Sequence, residues 1–242
     1  MNPKDFLLSI KDKHYVERDN LCCEYALEQD NCSFTLNNFK PITITSGDNT
    51  LTYLVSSDYL CIGEKEDRVR LPLSAPSAQR IMDKFGCTLP TKKMVDQIWQ
   101  KSEIKLEPSP NGPPYDSSMF SIDKILFHND KVTKQLINKD SSLLIGGHKK
   151  DVVLTNKLYP DNPNKRVAIY GWHKLNGEAI QGPGINSSSH ERDYYFDYSH
   201  GIRLISKDCT LNGEVMDIFT IFGSNEYSSL ISDEGILQFT KY

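Results

Sequence analysis

RVAIYGWHKLNGEAIQGPGINSSSHERDYYFDYSHGIRLI, residues 166–205, sets apolar runs at both ends of a polar, turn-rich middle. Val167-Ala168-Ile169-Tyr170 and Gly201-Ile202-Arg203-Leu204-Ile205 read as short strands, rich in β-branched side chains and bounded by glycine. Gly171 lets the chain bend at the end of the first run and leaves Trp172 and His173 at its rim. Between the facing ends fall His173, His190, Asp197, Ser199 and His200, and His148 lies upstream in GGHKKDVVL. Three of the six histidines therefore sit in one stretch, which is how a polar site on a rigid scaffold reads in sequence.

Working outward, Leu143-Leu144-Ile145 and Val152-Val153-Leu154-Thr155 read as strands, and Pro160-Asp161-Asn162-Pro163 as a turn. Met216 to Phe222 reads as a final long strand. Further upstream the pattern becomes helical. Ser74-Ala75-Pro76 opens a helix with Ala78, Ile81, Met82 and Phe85 at helical spacing, and Gly86 stops it. Thr88-Leu89-Pro90-Thr91 begins a second helix, whose buried stripe is Met94, Val95, Ile98 and Trp99. Ser117 or Ser118 caps a third, running to about Ile137, on which His128 reads as a surface or packing residue. Lys92 and Lys93 stand at a helix start, where a cation is disfavoured unless it meets an anion; the plainer expectation is two solvated lysines.

The first 20 residues read as a short helix or an arm, and the region from Leu21 to Leu73 as an antiparallel meander with one wet face. Its runs are Ser33-Phe34-Thr35-Leu36, Ile42-Thr43-Ile44-Thr45, Leu51-Thr52-Tyr53-Leu54-Val55, Tyr59 to Ile62 and Val69 to Leu73. Strands at both ends with helices between them give an α+β fold: an antiparallel, strand-rich amino-terminal part, central helices, and a mixed or antiparallel carboxy-terminal sheet carrying the site. PSPNGPP, residues 108–114, holds four of the twelve prolines. It marks a soft boundary between an amino-terminal part (1–107) and a carboxy-terminal part (115–242), or a long loop within one continuous domain.

At 242 residues the chain can bury a sizeable core, and its 38% hydrophobic, 10% aromatic and 25% charged content is that of a globular protein. A formal charge of −4 gives no footprint for general nucleic-acid binding or for coating an anionic membrane. The apolar run Phe6 to Ile10 is too short for a signal-peptide core, and no later run approaches the ~20 residues of a membrane helix. The expectation is a soluble chain, cytoplasmic or exported with its signal removed. Cys22, Cys23, Cys32, Cys61, Cys87 and Cys209 show no metal-ligand spacing and read as buried free thiols, with one local bridge among the first three as the alternative.

The candidate chemistry is acid/base. His173 and His200 are the proton carriers, with His190 as a further partner and Asp197 as the orienting carboxylate. In an extended strand Asp197 and Ser199 would share one face and His200 the other, so the three act together only if the strand ends or bulges there. Arg203, Lys149, Lys150 and Ser199 are candidate substrate anchors, and Trp172 a platform for a sugar ring or planar group, with Tyr194, Tyr195 and Tyr198 completing an aromatic groove. His148, Asp151, His173, His190 and His200 also supply ligands for a divalent metal such as zinc, but no His-x-x-x-His spacing fixes a site, and no cofactor is favoured. A nucleophile elbow around Ser199 is excluded by Asp197 two residues before it and the β-branched run after it.

Ser199-His200-Gly201-Ile202-Arg203 resembles the Ser-His-Gly-Cys-x-Arg signature of L,D-transpeptidases, with Ile202 where that family's nucleophilic cysteine follows the glycine. The chemistry of that cysteine is therefore not carried over. The blocks Cys87-Thr88-Leu89-Pro90-Thr91-Lys92-Lys93-Met94-Val95-Asp96, Lys149-Lys150-Asp151-Val152-Val153-Leu154 and Tyr198-Ser199-His200-Gly201-Ile202-Arg203-Leu204 resemble an uncharacterised group of bacterial, often exported proteins, which implies no activity. The residues themselves lead to the expectation of a hydrolase or lyase acting on a small-molecule or polymer substrate, a polar one such as cell-wall peptide or glycan. The alternative is a non-catalytic binding module using the same groove.

Overall fold

The computed structural model describes residues 1–64, 67–158, 167–186 and 195–242, with backbone alone over 182–186. The amino-terminal part begins with α1 (Pro3–Ser9), α2 (Tyr15–Leu27) and α3 (Ser33–Leu36), followed by β1 (Phe39–Ser46) and β2 (Asn49–Ser56). Next come β3 (Cys61–Ile62), β4 (Val69–Arg70), α4 (Ala75–Lys84), β5 (Cys87–Thr88), α5 (Lys92–Lys101) and β6 (Ile104–Lys105). After the proline-rich segment lie α6 (Ile122–Gln135), β7 (Ile145–Gly146), β8 (Lys150–Val152), β9 (Ile169–His173) and β10 (Ala179–Asn186). The order is completed by β11 (His200–Gly201), β12 (Ile205–Leu211), β13 (Glu214–Asp217) and α7 (Ile218–Phe222). The fold is α+β.

Local chemistry accounts for the helix starts. Ser74, Thr91 and Ser121 each accept a hydrogen bond from the backbone N–H three residues on, satisfying a donor that the first turn leaves free. β1 and β2 form a hairpin across the two-residue loop Gly47-Asp48, with Gly47 at φ +58°. Thr43 pairs with Thr52 on its solvent side, which is the wet face expected from the alternation.

Four segments depart from their expected form; the third helix begins at Ile122, because Ser121 and not Ser117 or Ser118 supplies the cap, and Ser117–Phe120 is a separate turn. Ser33-Phe34-Thr35-Leu36 is a helical turn, because the Asn37 N–H returns to the Ser33 carbonyl and only Phe34 and Thr35 need burial. Tyr15–Leu27 is a helix extending into the region read as sheet, with Cys22, Cys23 and Ala26 on its buried side. The last expected strand divides: β13 ends at Asp217, whose carboxylate accepts from the Phe219 N–H and starts α7, burying Ile218, Ile221 and Phe222 at helical spacing.

One sheet has the order β1-β2-β12-β13, with β5 also on β12, and is antiparallel throughout. Strands from both sides of the proline-rich segment therefore share it. The other sheet has the order β10-β9-β8-β11. Its decisive pairing is parallel: His200 lies opposite Lys150 and Gly201 opposite Asp151, while β9 runs antiparallel on the other side of β8. Leu51, Tyr53, Ile62, Leu71, Leu73, Ile81, Leu204, Ile205 and Phe222 are among the buried side chains of the core shared by the two sheets.

Gly201 shows how tightly β11 is seated. A Cβ added there would stand 2.5 Å from two ring carbons of Tyr59 and 3.0 Å from the Lys149 Cβ. Gly201→Ala is therefore expected to lower stability by about 1–3 kcal/mol through overpacking, read as a shifted urea midpoint with unchanged m-value.

Candidate functional site

The site begins at the end of β2, in Ser56-Ser57-Asp58-Tyr59. Asp58 is buried, and its two oxygens accept a forked pair of bonds from Arg70, Nε at 3.0 Å and Nη2 at 2.6 Å. Its Oδ1 also meets His148 Nε2 at 2.9 Å, and Arg68 approaches at 3.7 Å. Asn129 of α6 accepts from the Arg70 backbone and guanidinium, so the helix is tied to the same knot. Burial alone would raise the Asp58 pKa, but Arg70, His148 and Arg68 outweigh it and hold the carboxyl well below its usual range. Burial pushes the His148 imidazole down to about 4 against the pull of Asp58, so the ring is neutral, with Nε2–H toward Asp58.

Tyr59 carries the next group. Its hydroxyl donates to Asp151 Oδ2 at 2.7 Å, and the Arg203 guanidinium lies 4.0 Å over its ring. Arg203 spends both terminal nitrogens on backbone carbonyls, those of Ser56 and Ile145, with Nε 4.0 Å from Asp151. It is thus a buried staple between β2 and β7. Burial raises Asp151 to about 6, opposed by Arg203 and Tyr59. Lys149, also buried, donates to the Tyr198 carbonyl at 2.6 Å. Burial, with Arg70 adding to it, lowers that amine to about 7.

A turn at Tyr198 and Ser199 brings Asp197 back toward His200, where β11 begins. Asp197 Oδ1 accepts from the Ser199 N–H at 2.7 Å and hydroxyl at 2.5 Å, and Oδ2 lies 4.0 Å from His200 Nε2. The strand ends where the three residues need it to. Burial opposes ionisation of Asp197, but His200, Lys150 and the Ser199 bonds hold its pKa below the ordinary value. Tyr195, half-buried, adds its hydroxyl to Asp197 at 3.3 Å and its ring to His200.

His173 belongs to a different group. Its Nε2 meets Asp96 Oδ1 of α5 at 3.0 Å, the same oxygen takes the Tyr170 hydroxyl at 2.8 Å, and the ring stacks on Trp99. Lys92 closes this group on Asp96 at 2.9 Å and, with Lys93, reaches Asp233, so both lysines at the α5 start meet carboxylates of the chain itself. Gly171 and Trp172 hold φ +104° and +57° within β9, and with the strand's alternation Trp172 faces the main core while His173 faces α5. Trp172 and Tyr198 are buried and do not line an open groove; Lys150 rests 5.2 Å above the Trp172 ring. Tyr194 and His190 lie outside the described residues. Ile202, at the position of the transpeptidase cysteine, is buried in the core. All six cysteines are free and buried, their pKa values raised by burial. Among the described residues no three His, Cys, Asp or Glu gather in a form that could hold a metal ion, and no helix is long and apolar enough to cross a membrane.

Sequence spacing missed Asp58, Tyr59, Arg70, Asp96 and His128. Two signals were present. Arg70 interrupts an otherwise apolar run between Val69 and Leu71, and His128 stands three residues after Ile125 and four before Val132, on the buried stripe of α6. His128 is wholly buried, and neither ring nitrogen has a hydrogen-bond partner among the described residues. No family model, no curated protein and no solved structure matches the chain.

The ionisations give a signed pH dependence. Between about 7 and the ~10.4 of an unfolded lysine, the native state binds fewer protons than the unfolded one at Lys149, so stability rises with pH by up to about 1.4 kcal/mol per unit. Lys149→Met should flatten that limb in urea titrations from pH 7 to 10. Below about 6.5 the neutral His148 costs stability as pH falls, and Asp151, raised to about 6, opposes it; Asp58 adds its own loss only below the ~3.9 of an unfolded aspartate. Asp58→Asn should cost about 3–5 kcal/mol at neutral pH, because it leaves Arg70 buried without its partner charge.

Proposed function

We propose that the chain is a hydrolase or lyase whose proton-transfer pair is Asp197 and His200, with Asp151 and Tyr59 beside them, acting on a polar substrate. The observation that carries this reading is the approach of the Asp197 carboxylate to 4.0 Å from His200 Nε2, both side chains buried. An ionised carboxylate at that distance stabilises the imidazolium, so His200 can accept a proton in one step and return it in the next. The bonds from Ser199 fix the carboxylate, and the serine hydroxyl is itself spent on Asp197. Ser199 is therefore a positioning residue in this reading, not a nucleophile. His173, held by Asp96, is not the partner of His200 in this reading.

The burial of Trp172 and Tyr198 favours a small polar fragment, or the end of a cell-wall peptide or glycan, over a polymer lying along an open groove. The test is turnover of a panel of such peptide and glycan fragments by the wild type, His200→Ala and Asp197→Asn, with thermal melting of each. Loss of about a hundredfold or more in kcat in both variants, at melting temperatures that show folded protein, is the expected result. Fragments that bind without any product in the wild type would instead make the chain a binding module.

A further inference from the structure

Lys149 is 2% exposed, and its amine has one acceptor, the Tyr198 carbonyl. No carboxylate of the described residues lies within 4.0 Å of it, although Asp58, Asp151 and Asp197 are all in the cluster. A buried ammonium without a counter-ion is strongly disfavoured, so these surroundings stabilise the neutral amine, whose lone pair is a nucleophile. The groups that act on it come from every side. They are Arg70 of β4, Asp58 after β2, Cys61 of β3, Asp197 in the turn before β11, and His128 of α6. Arg70 acts most strongly after burial itself, and it disfavours the ammonium further.

A second, independent observation points to what the amine meets. Trp172 Nε1 and both ring nitrogens of His128 are buried without partners among the described residues, where native proteins seldom leave such atoms. They are neighbours: the two rings stand edge to face at 6.1 Å, and His128 lies 5.2 Å from the Tyr198 ring whose residue holds Lys149. The Trp172 backbone N–H donates to the Lys149 carbonyl, and Trp172 holds a left-handed conformation rare for an aromatic residue. Two unspent ring N–H donors in the same buried cluster as the amine suit a ligand with a carboxylate next to an electrophilic carbon.

We propose that Lys149 condenses with the carbonyl of a small 2-oxo acid, whose carboxylate is received by the Trp172 indole N–H and the His128 ring N–H. The lysine lone pair adds to the carbonyl carbon, and the carbonyl oxygen leaves as water with the two amine protons, giving an imine. This takes the lyase branch of the proposed function and rests on that reading only for the bond-breaking step after condensation.

The test is incubation of the folded protein with glyoxylate and borohydride, then peptide mass mapping. Hydride adds to the imine carbon and fixes the adduct as a secondary amine. Lys149 should label saturably, with a rate that rises through pH about 7, and Lys149→Met should lose that label alone. Trp172→Phe and His128→Phe should each raise the half-saturating glyoxylate concentration about tenfold or more, by losing a hydrogen bond to a charged group; either variant serves if the other melts low. Labelling confined to exposed lysines such as Lys139, or labelling of Lys149 that does not saturate, overturns the proposal. Because no turnover is read, this outcome is independent of the His200→Ala result.

Discussion

The forked pair between Asp58 and Arg70 is the interaction on which the other contacts of the cluster rest. Stripped of water, either charge alone would be untenable, and together they still need their remaining hydrogen-bonding atoms satisfied. His148, Arg68, Asn129 and the Tyr59 backbone N–H meet that need. In doing so they tie the end of β2, the β3 and β4 pair, α6 and the turn before β8 to one carboxylate. Such a pair adds little net stability against an apolar replacement, but it admits one arrangement of five segments and penalises every other.

That constraint sets the position of the candidate site. With Asp58 and His148 fixed, Tyr59 is turned onto Gly201 and Asp151, and Arg203 covers its ring. The parallel pairing of β11 with β8 then brings the Asp197 and His200 turn alongside Lys149 and Asp151. Burial does the rest: it lifts one carboxyl toward neutral pH and lowers one amine toward it. Groups that would differ widely in water are thus drawn toward the same range.

Much of the secondary structure could be read locally. Ser74, Thr91 and the Gly47-Asp48 loop act through neighbours a few residues away, and they produce the expected caps and hairpin. Ser33–Leu36 and Ile218–Phe222 are helical where strands were expected, because a short apolar run has both a strand and a helix solution, and a cap or a buried neighbour chooses between them. The site was legible in part. Asp197, Ser199 and His200 are close in sequence and meet through one turn. His173 groups with His200 by proximity along the chain, but its face of β9 turns it to Asp96, 77 positions away. Asp58 and Arg70 carried no motif, since a forked ion pair needs no fixed spacing.

The sequence by itself determined the α+β class, the helix start at Ser74, the burial of the thiols and the polar richness of the stretch from His148 to Arg203. Periodicity, capping and composition are local properties, and the backbone obeys them wherever they fall. Tertiary structure alone decided which polar groups share a buried space, which of them are paired and which keep unspent hydrogen bonds. Those outcomes depend on strand register, where a shift of one residue reverses every side chain, and on the removal of water, which no single segment accomplishes.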